Sequence, residues 1–359
     1  MRELTLAFFF SLLVVIGSLM TTQVAAPPLQ PAAGPGGKEY RHESVRVGFF
    51  GRGAEGYWLF EPDNPRPERA PVVILLHGWG AWDPEPYRRW IDHLVRRGNV
   101  IIYPRYQEAF NSDPAGMTAA AQAAVEDAWR RLHDPDGRHV SPDGEKVVII
   151  GHSLGAVLAA NLAARASSDA GSGLFRLPSV AALLLIEPGD SEGRYAGRDY
   201  PSIMELSHYH EISPETLLLL VVGDRPEALV VSTAREMWLA FAHIPDANKD
   251  FVIVQSDDHG RPALVADHFS PCAAGRGFSP MLEAALGDFE TDALDYFGYW
   301  KLADALIGAV YYGKDREYAL GNTEQQRFMG RWSDGTPVRP LIITDTPDFS
   351  AFGANREDP

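Results

Sequence analysis

The sequence predicts an α/β domain built on an eight-stranded, mostly parallel sheet with helices on both faces. Three observations predict it. Short apolar runs recur along the chain and alternate with helix-favouring stretches. From the third run onward they are continuously apolar, as strands covered on both faces are. The chain has 359 residues, 45% hydrophobic and 22% charged, which is enough to bury one large core.

The elements follow in order. Arg2 precedes an apolar run from Leu4 to Met20, and small residues follow at Val24-Ala25-Ala26. Residues 1–26 therefore read as a signal peptide or an N-terminal anchor. Glu3 dilutes the basic start and Pro27 disfavours cleavage after Ala26, so both forms stay open. Either form predicts a secreted, periplasmic or cell-envelope location, with membrane contact only through an uncleaved anchor. Residues 27–38 are rich in Pro, Gly and Ala and read as a linker. The main domain is expected over 39–312, followed by an extension over 313–359 with no strong period.

Ser44 to Phe50 and Gly56 to Phe60 read as a hairpin. Further strands are expected at Val72–Leu76, Val100–Tyr103, Val147–Ile150, Val180–Ile186, Leu217–Val222 and Phe251–Gln255. Helices are expected at Pro86–Arg96, Ala119–Leu132, Leu154–Ala166, Thr233–Ala242 and Tyr299–Tyr312. Strand–helix alternation predicts a parallel sheet with helices on both faces.

The formal net charge is -16. Phosphate-bearing partners would be repelled, which argues against nucleic acid and anionic membrane surfaces. Cys272 is the one cysteine, so neither an intrachain disulfide nor a multi-thiolate metal site can form.

The strongest chemical signal is Gly151-His152-Ser153-Leu154-Gly155, set between an expected strand and an expected helix. Gly-X-Ser-X-Gly in that context is the pattern of a strained strand-to-helix turn that lifts a serine hydroxyl clear of the sheet. A serine hydroxyl is a weak nucleophile and needs a base. His259, in Ser256-Asp257-Asp258-His259-Gly260, lies closest to the end of the last strand, and His268 is the alternative. The acid that orients the base is expected at Asp224 or Glu227, after Leu217–Val222, with Glu187 and Asp190 as more distant options. Two backbone N–H groups are needed for the developing oxyanion. Leu154 and Trp79, the latter in His77-Gly78-Trp79-Gly80, are the candidates.

With these parts in place, residues 40–312 resemble the α/β-hydrolase superfamily, on the His-Gly turn after the third strand, Gly-His-Ser-Leu-Gly after the fifth, and the acid and histidine loops. The resemblance is to the serine esterase and lipase, dienelactone-hydrolase and chlorophyllase-like branches. It implies a carboxylic ester hydrolase working through an acyl-enzyme, with a small-molecule ester or acyl substrate and no cofactor. An acyltransferase or peptidase on the same fold, or a catalytically inactive binding protein, are the alternatives. Trp79, Trp82, Tyr103 and Tyr106 fall near the expected site and suit an apolar pocket. Gly51-Arg52-Gly53-Ala54-Glu55-Gly56 fits a dinucleotide fingerprint by letter, but a strand follows it, so a hairpin turn is expected. His208-Tyr209-His210-Glu211 has no partner triplet at metal-ligand spacing, so no metal is expected.

Overall fold

A computed structural model describes residues 24–168, 177–195, 198–274, 290–350 and 352. The leader expected over 1–26 therefore lies almost wholly outside the described residues. Among the described residues no helix is long and apolar enough to cross a membrane.

Nine strands form one sheet: β1 (Ser44–Phe50), β2 (Tyr57–Asp63), β3 (Val72–Leu76), β4 (Val100–Pro104), β5 (Lys146–His152), β6 (Ser179–Ile186), β7 (Leu217–Gly223), β8 (Lys249–Val254) and β9 (Ile342–Thr344). Their spatial order is β1-β2-β4-β3-β5-β6-β7-β8-β9. The pairs from β4 through β8 are parallel. The hairpin β1–β2 and the β2–β4 pair are antiparallel. The glycine-rich stretch 51–56 is the turn of that hairpin, with Phe50 opposite Tyr57.

The expectation of eight strands is corrected to nine. The added strand, β9, comes from the C-terminal extension and pairs antiparallel with β8, Val252 opposite Ile343. A three-residue edge strand is too short to show a period, so pattern reading passes over it.

The central strands bury both faces, which explains their unbroken apolar runs. Val72, Ile74 and Leu76 of β3 point into one core with Ile149 of β5, beneath α2 (Met117–Leu132), α3 (Leu154–Ser168) and α4 (Ala228–Ala240). Val73, Leu75, Val148 and Ile150 point into the opposite core, beneath α1 (Arg88–Arg96) and α5 (Trp300–Tyr312). A single π-helical turn, Asp295–Tyr299, leads into α5.

The flanking segments are built into the same body. Gly36 N–H donates to the buried Asp304 carboxylate of α5 at 2.7 Å, so the stretch read as a linker is tied down at its glycine turn. Gly36 has a φ of +77°, and a Cβ there would overlap the Tyr296 carbonyl. Composition rich in Pro and Gly suits a linker and a packed turn equally, and Asp304 decides between them. After residue 313, Trp332 is fully buried and donates its indole N–H to Asp257 at 3.1 Å. The Lys301 ammonium donates to the carbonyls of Gln326 and Phe328 at 2.7 Å each.

Candidate active site

β5 runs straight into α3 through Ser153, whose φ is +56°. A left-handed backbone costs a non-glycine residue on the order of 1–2 kcal/mol. Ser153 is held there by its N–H bond to the Ile186 carbonyl at 2.9 Å, and its own carbonyl accepts from Ala156 N–H. The flanking glycines are required by contact. A Cβ on Gly151 would overlap the Gly155 backbone, and a Cβ on Gly155 would overlap the Leu76 carbonyl. The N-terminus of the long helix α3 begins directly after the serine, where negative charge is favoured.

The nearest base is His268. Its Nε2 lies 3.0 Å from Ser153 Oγ. The preference for His259 is corrected, since its Nε2 meets the Asp334 carboxylate at 2.8 Å on the surface. The physical reason lies between the two histidines. Asp257 and Leu264 exchange backbone bonds of 2.9 Å in both directions, which closes residues 258–263 into an outward excursion. The chain then returns and presents His268. Asp267 Oδ1 accepts from Phe269 and Ser270 N–H, setting the turn that follows it.

The carboxylate facing His268 belongs to Glu187. Glu187 Oε2 is 3.9 Å from His268 Nδ1. Both atoms are buried, and neither has a hydrogen-bond partner among the described residues. The second oxygen, Oε1, accepts from Gly223 N–H, and Glu187 N–H bonds the Val221 carbonyl. Glu187 itself has a φ of +46°, a second strained residue at the end of a central strand. The preference for Asp224 as the acid is therefore also corrected. Both Asp224 oxygens are taken by Ser256, at 2.8 Å to its N–H and 2.6 Å to its hydroxyl. Asp224 thus secures the root of the loop that carries His268. Glu227 is exposed at the N-terminus of α4, and Asp190 accepts from Ile203 N–H at 3.0 Å. The signal for Glu187 was available in the chain: a lone carboxylate ending the run Leu183-Leu184-Leu185-Ile186, followed by Pro188-Gly189. Gly189 leaves room beside the serine, since a Cβ there would stand 3.2 Å from Ser153 Oγ.

The turn after β3 packs against the elbow, with a Cβ on Gly78 reaching within 3.1 Å of Ser153 Cβ. The amides on either side of Trp79 are committed: Gly78 N–H to Tyr87 Oη at 3.0 Å and Gly80 N–H to Gln107 Oε1 at 2.7 Å. Leu154 opens α3 immediately after Ser153. His77 is buried and stacks on Tyr106, ring centroids 4.0 Å apart. Burial pushes its pKa down to about 4. Tyr103 and Tyr106 are therefore packing for this turn. Trp79 approaches Tyr200 of a short hairpin after β6, centroids 5.9 Å apart, and Trp82 packs on the exposed Phe110. The Tyr200 hydroxyl is buried with no hydrogen-bond partner among the described residues.

Two further residues meet here that the residue pattern did not single out. His152, the variable position of the elbow, is buried, with Nε2 2.8 Å from the His268 carbonyl and Nδ1 2.6 Å from Tyr87 Oη. Burial, then the neighbouring His268, pushes its pKa down to about 3. Cys272 contacts the same Tyr87 hydroxyl, and burial raises its thiol far above the ordinary range, which removes it as a thiolate nucleophile.

A hydroxyl on a strained turn, an imidazole at hydrogen-bond distance and a buried carboxylate behind it can together move a proton off an oxygen and return it elsewhere. Residues 61–223 match the family model described as Chlorophyllase. The match runs from β2 through β7 and includes Trp79, Ser153 and Glu187, while His268 lies beyond it. No curated protein matches the chain. The family is one of hydrolases, and the strand order agrees with the α/β-hydrolase fold: over residues 61–223 the chain is similar to the chlorophyllase-like branch.

Proposed function

We propose that this protein is a serine hydrolase that cleaves a carboxylic ester through an acyl-enzyme, with Ser153 as nucleophile, His268 as base and Glu187 as the acid that orients it. The observation that carries the reading is the 3.0 Å approach of His268 Nε2 to the Oγ of a serine held at φ +56°. Ser153 Oγ attacks the ester carbonyl carbon as His268 Nε2 takes its proton. The carbonyl oxygen gains negative charge and is met by the N–H groups of Leu154 and Trp79. The intermediate collapses, the C–O bond to the alcohol breaks, and His268 returns the proton to the departing oxygen. Water then attacks the acyl-enzyme with His268 again as base, releasing the acid and restoring Ser153. Glu187 accepts from His268 Nδ1–H and stabilises the imidazolium. A small rotation of either side chain converts their 3.9 Å separation into a hydrogen bond, and both atoms await a partner. Such contacts often tighten only with substrate bound.

The test is covalent labelling by a fluorophosphonate probe together with hydrolysis of a p-nitrophenyl ester series. The wild-type chain is expected to label at Ser153 and to turn over esters. Ser153→Ala is expected to do neither. Equal labelling of both, or ester turnover retained by Ser153→Ala, would overturn the reading.

A further inference from the structure

The polar atoms beneath the site form one chain of hydrogen bonds whose directions are determined. The His268 carbonyl can only accept, so His152 Nε2 must carry the proton that lies between them at 2.8 Å. His152 is neutral at working pH, so its Nδ1 has a lone pair and accepts from Tyr87 O–H at 2.6 Å. Tyr87 Oη in turn accepts the Gly78 N–H at 3.0 Å. All four groups are buried or nearly so. The chain therefore begins at the turn that carries Trp79 and ends on the backbone of His268.

We propose that His152 is a positioning residue, one edge of its ring holding the backbone of His268 and the other holding, through Tyr87, the Gly78-Trp79 turn, so that base and oxyanion donor are both set from the elbow that carries Ser153. This rests on the hydrolase reading above. The base reaches Ser153 from a loop that leaves the sheet for an excursion of several residues, and its acid partner stands at 3.9 Å. The His152 bond is the one that ties the His268 main chain to the elbow side chain next to the nucleophile. The His152 and His268 rings lie 5.1 Å apart between centroids, so the tether acts at short range. Misplacing a catalytic group by about 1 Å can cost on the order of 100-fold in rate. Substrate binding as such involves none of these buried atoms, so the effect belongs to kcat.

The experiment compares His152→Phe, His152→Gln and Tyr87→Phe with wild type in p-nitrophenyl ester hydrolysis, separating kcat from KM, and in the rate of fluorophosphonate labelling. His152→Phe keeps the ring and loses both bonds, and kcat is expected to fall about 100-fold with KM within about 3-fold. His152→Gln carries an amide N–H where Nε2 stood and is expected to recover at least ~10-fold of that loss. Tyr87→Phe removes one oxygen and is expected to lower kcat about 10-fold, and the double variant His152→Phe with Tyr87→Phe should be no worse than His152→Phe alone. Labelling rates should follow kcat. A His152→Phe enzyme within ~3-fold of wild-type kcat, a loss that appears in KM alone, or a His152→Gln enzyme no better than His152→Phe would each overturn the proposal. Should His152→Phe fail to fold, Tyr87→Phe decides by the same kcat criterion. If wild type itself fails to label at Ser153, the hydrolase reading fails. If wild type labels and the variants keep its rate, only the positioning role fails.

Discussion

Two histidines stand on the same loop after β8, each facing a carboxylate from elsewhere in the chain, and the two pairs differ in every respect that matters. His259 and Asp334 meet at 2.8 Å, with the side chains 39% and 44% exposed. His268 and Glu187 stand 3.9 Å apart, with the side chains 15% and 0% exposed. The shorter contact is the less consequential one. Water competes for both partners of the surface pair, so it contributes little to holding the loop in place. The buried pair has no such competition, faces a strained serine and keeps two atoms unpaired. The pair proposed as catalytic stands out by what surrounds it and what it points at, while closeness to a strand end or to a counter-ion is a weaker guide.

The largest expected effect breaks the comparison directly. His268→Ala should lower kcat/KM by about 10⁴-fold or more, whereas His259→Ala should stay within about twofold of wild type. Steady-state ester kinetics on the two variants suffices, and the reverse ranking would return the role to His259. Next comes the carboxylate behind each histidine. Glu187→Gln should lose about 10²- to 10⁴-fold in kcat because the imidazole is no longer held in the right tautomer, with Asp334→Asn near wild type. Loss of activity in Asp334→Asn alone would sink the contrast.

A third pair sharpens it. His93 Nε2 meets Asp304 at 3.0 Å in the interior, and Asp304 also accepts from Arg97 at 3.1 Å and from Gly36 N–H. Burial would raise the Asp304 pKa, but His93, Arg97 and the Gly36 bond outweigh it and hold the carboxyl below its usual range. Buried pairing without a reactive neighbour should serve stability. Asp304→Asn is expected to cost about 3 kcal/mol in denaturant unfolding while leaving kcat unchanged. Because the folded pKa is depressed, this contribution is present above the ordinary carboxylate range and is lost as pH falls through the folded value. A variant as stable as wild type at neutral pH would contradict it.

A last prediction concerns the two neutral histidines of the site. His77 and His152 have pKa values pushed down to about 4 and about 3, so the unfolded chain takes up their protons first. Stability should therefore fall as pH drops from about 6.5 toward 4, by at most about 1.4 kcal/mol per pH unit for each. A flat Tm across that range would show that neither is buried neutral.

The division between what was legible and what was not follows the range of the interactions. The mostly parallel sheet covered on both faces could be read from apolar runs, because burial on two faces leaves a local mark on each strand. The elbow was equally legible: Gly151 and Gly155 are dictated by backbone contacts within one turn and its neighbouring strand, and Ser153 sits between them. β9, the packed turn at Gly36 and the seating of Trp332 were not legible, because each depends on a partner far along the chain. The proposed base and acid belong to the same class. Of the six carboxyl and imidazole candidates, His259, Asp224, Glu227 and Asp190 offer the same chemistry as the two that meet, His268 and Glu187, and Asp224 even follows its strand as an acid would.

The sequence by itself thus determined the layered α/β architecture and the elbow that carries Ser153, since these arise from local sterics and periodic burial. Only the tertiary structure decided which histidine and which carboxylate face that serine. The bridge between Asp257 and Leu264 turns His259 outward, and the pairing of β6 with β7 brings Glu187 to the end of the sheet where His268 arrives. The pairing of β6 with β7 and the approach of Glu187 to His268 join residues dozens of positions apart, and no local preference of either partner records them.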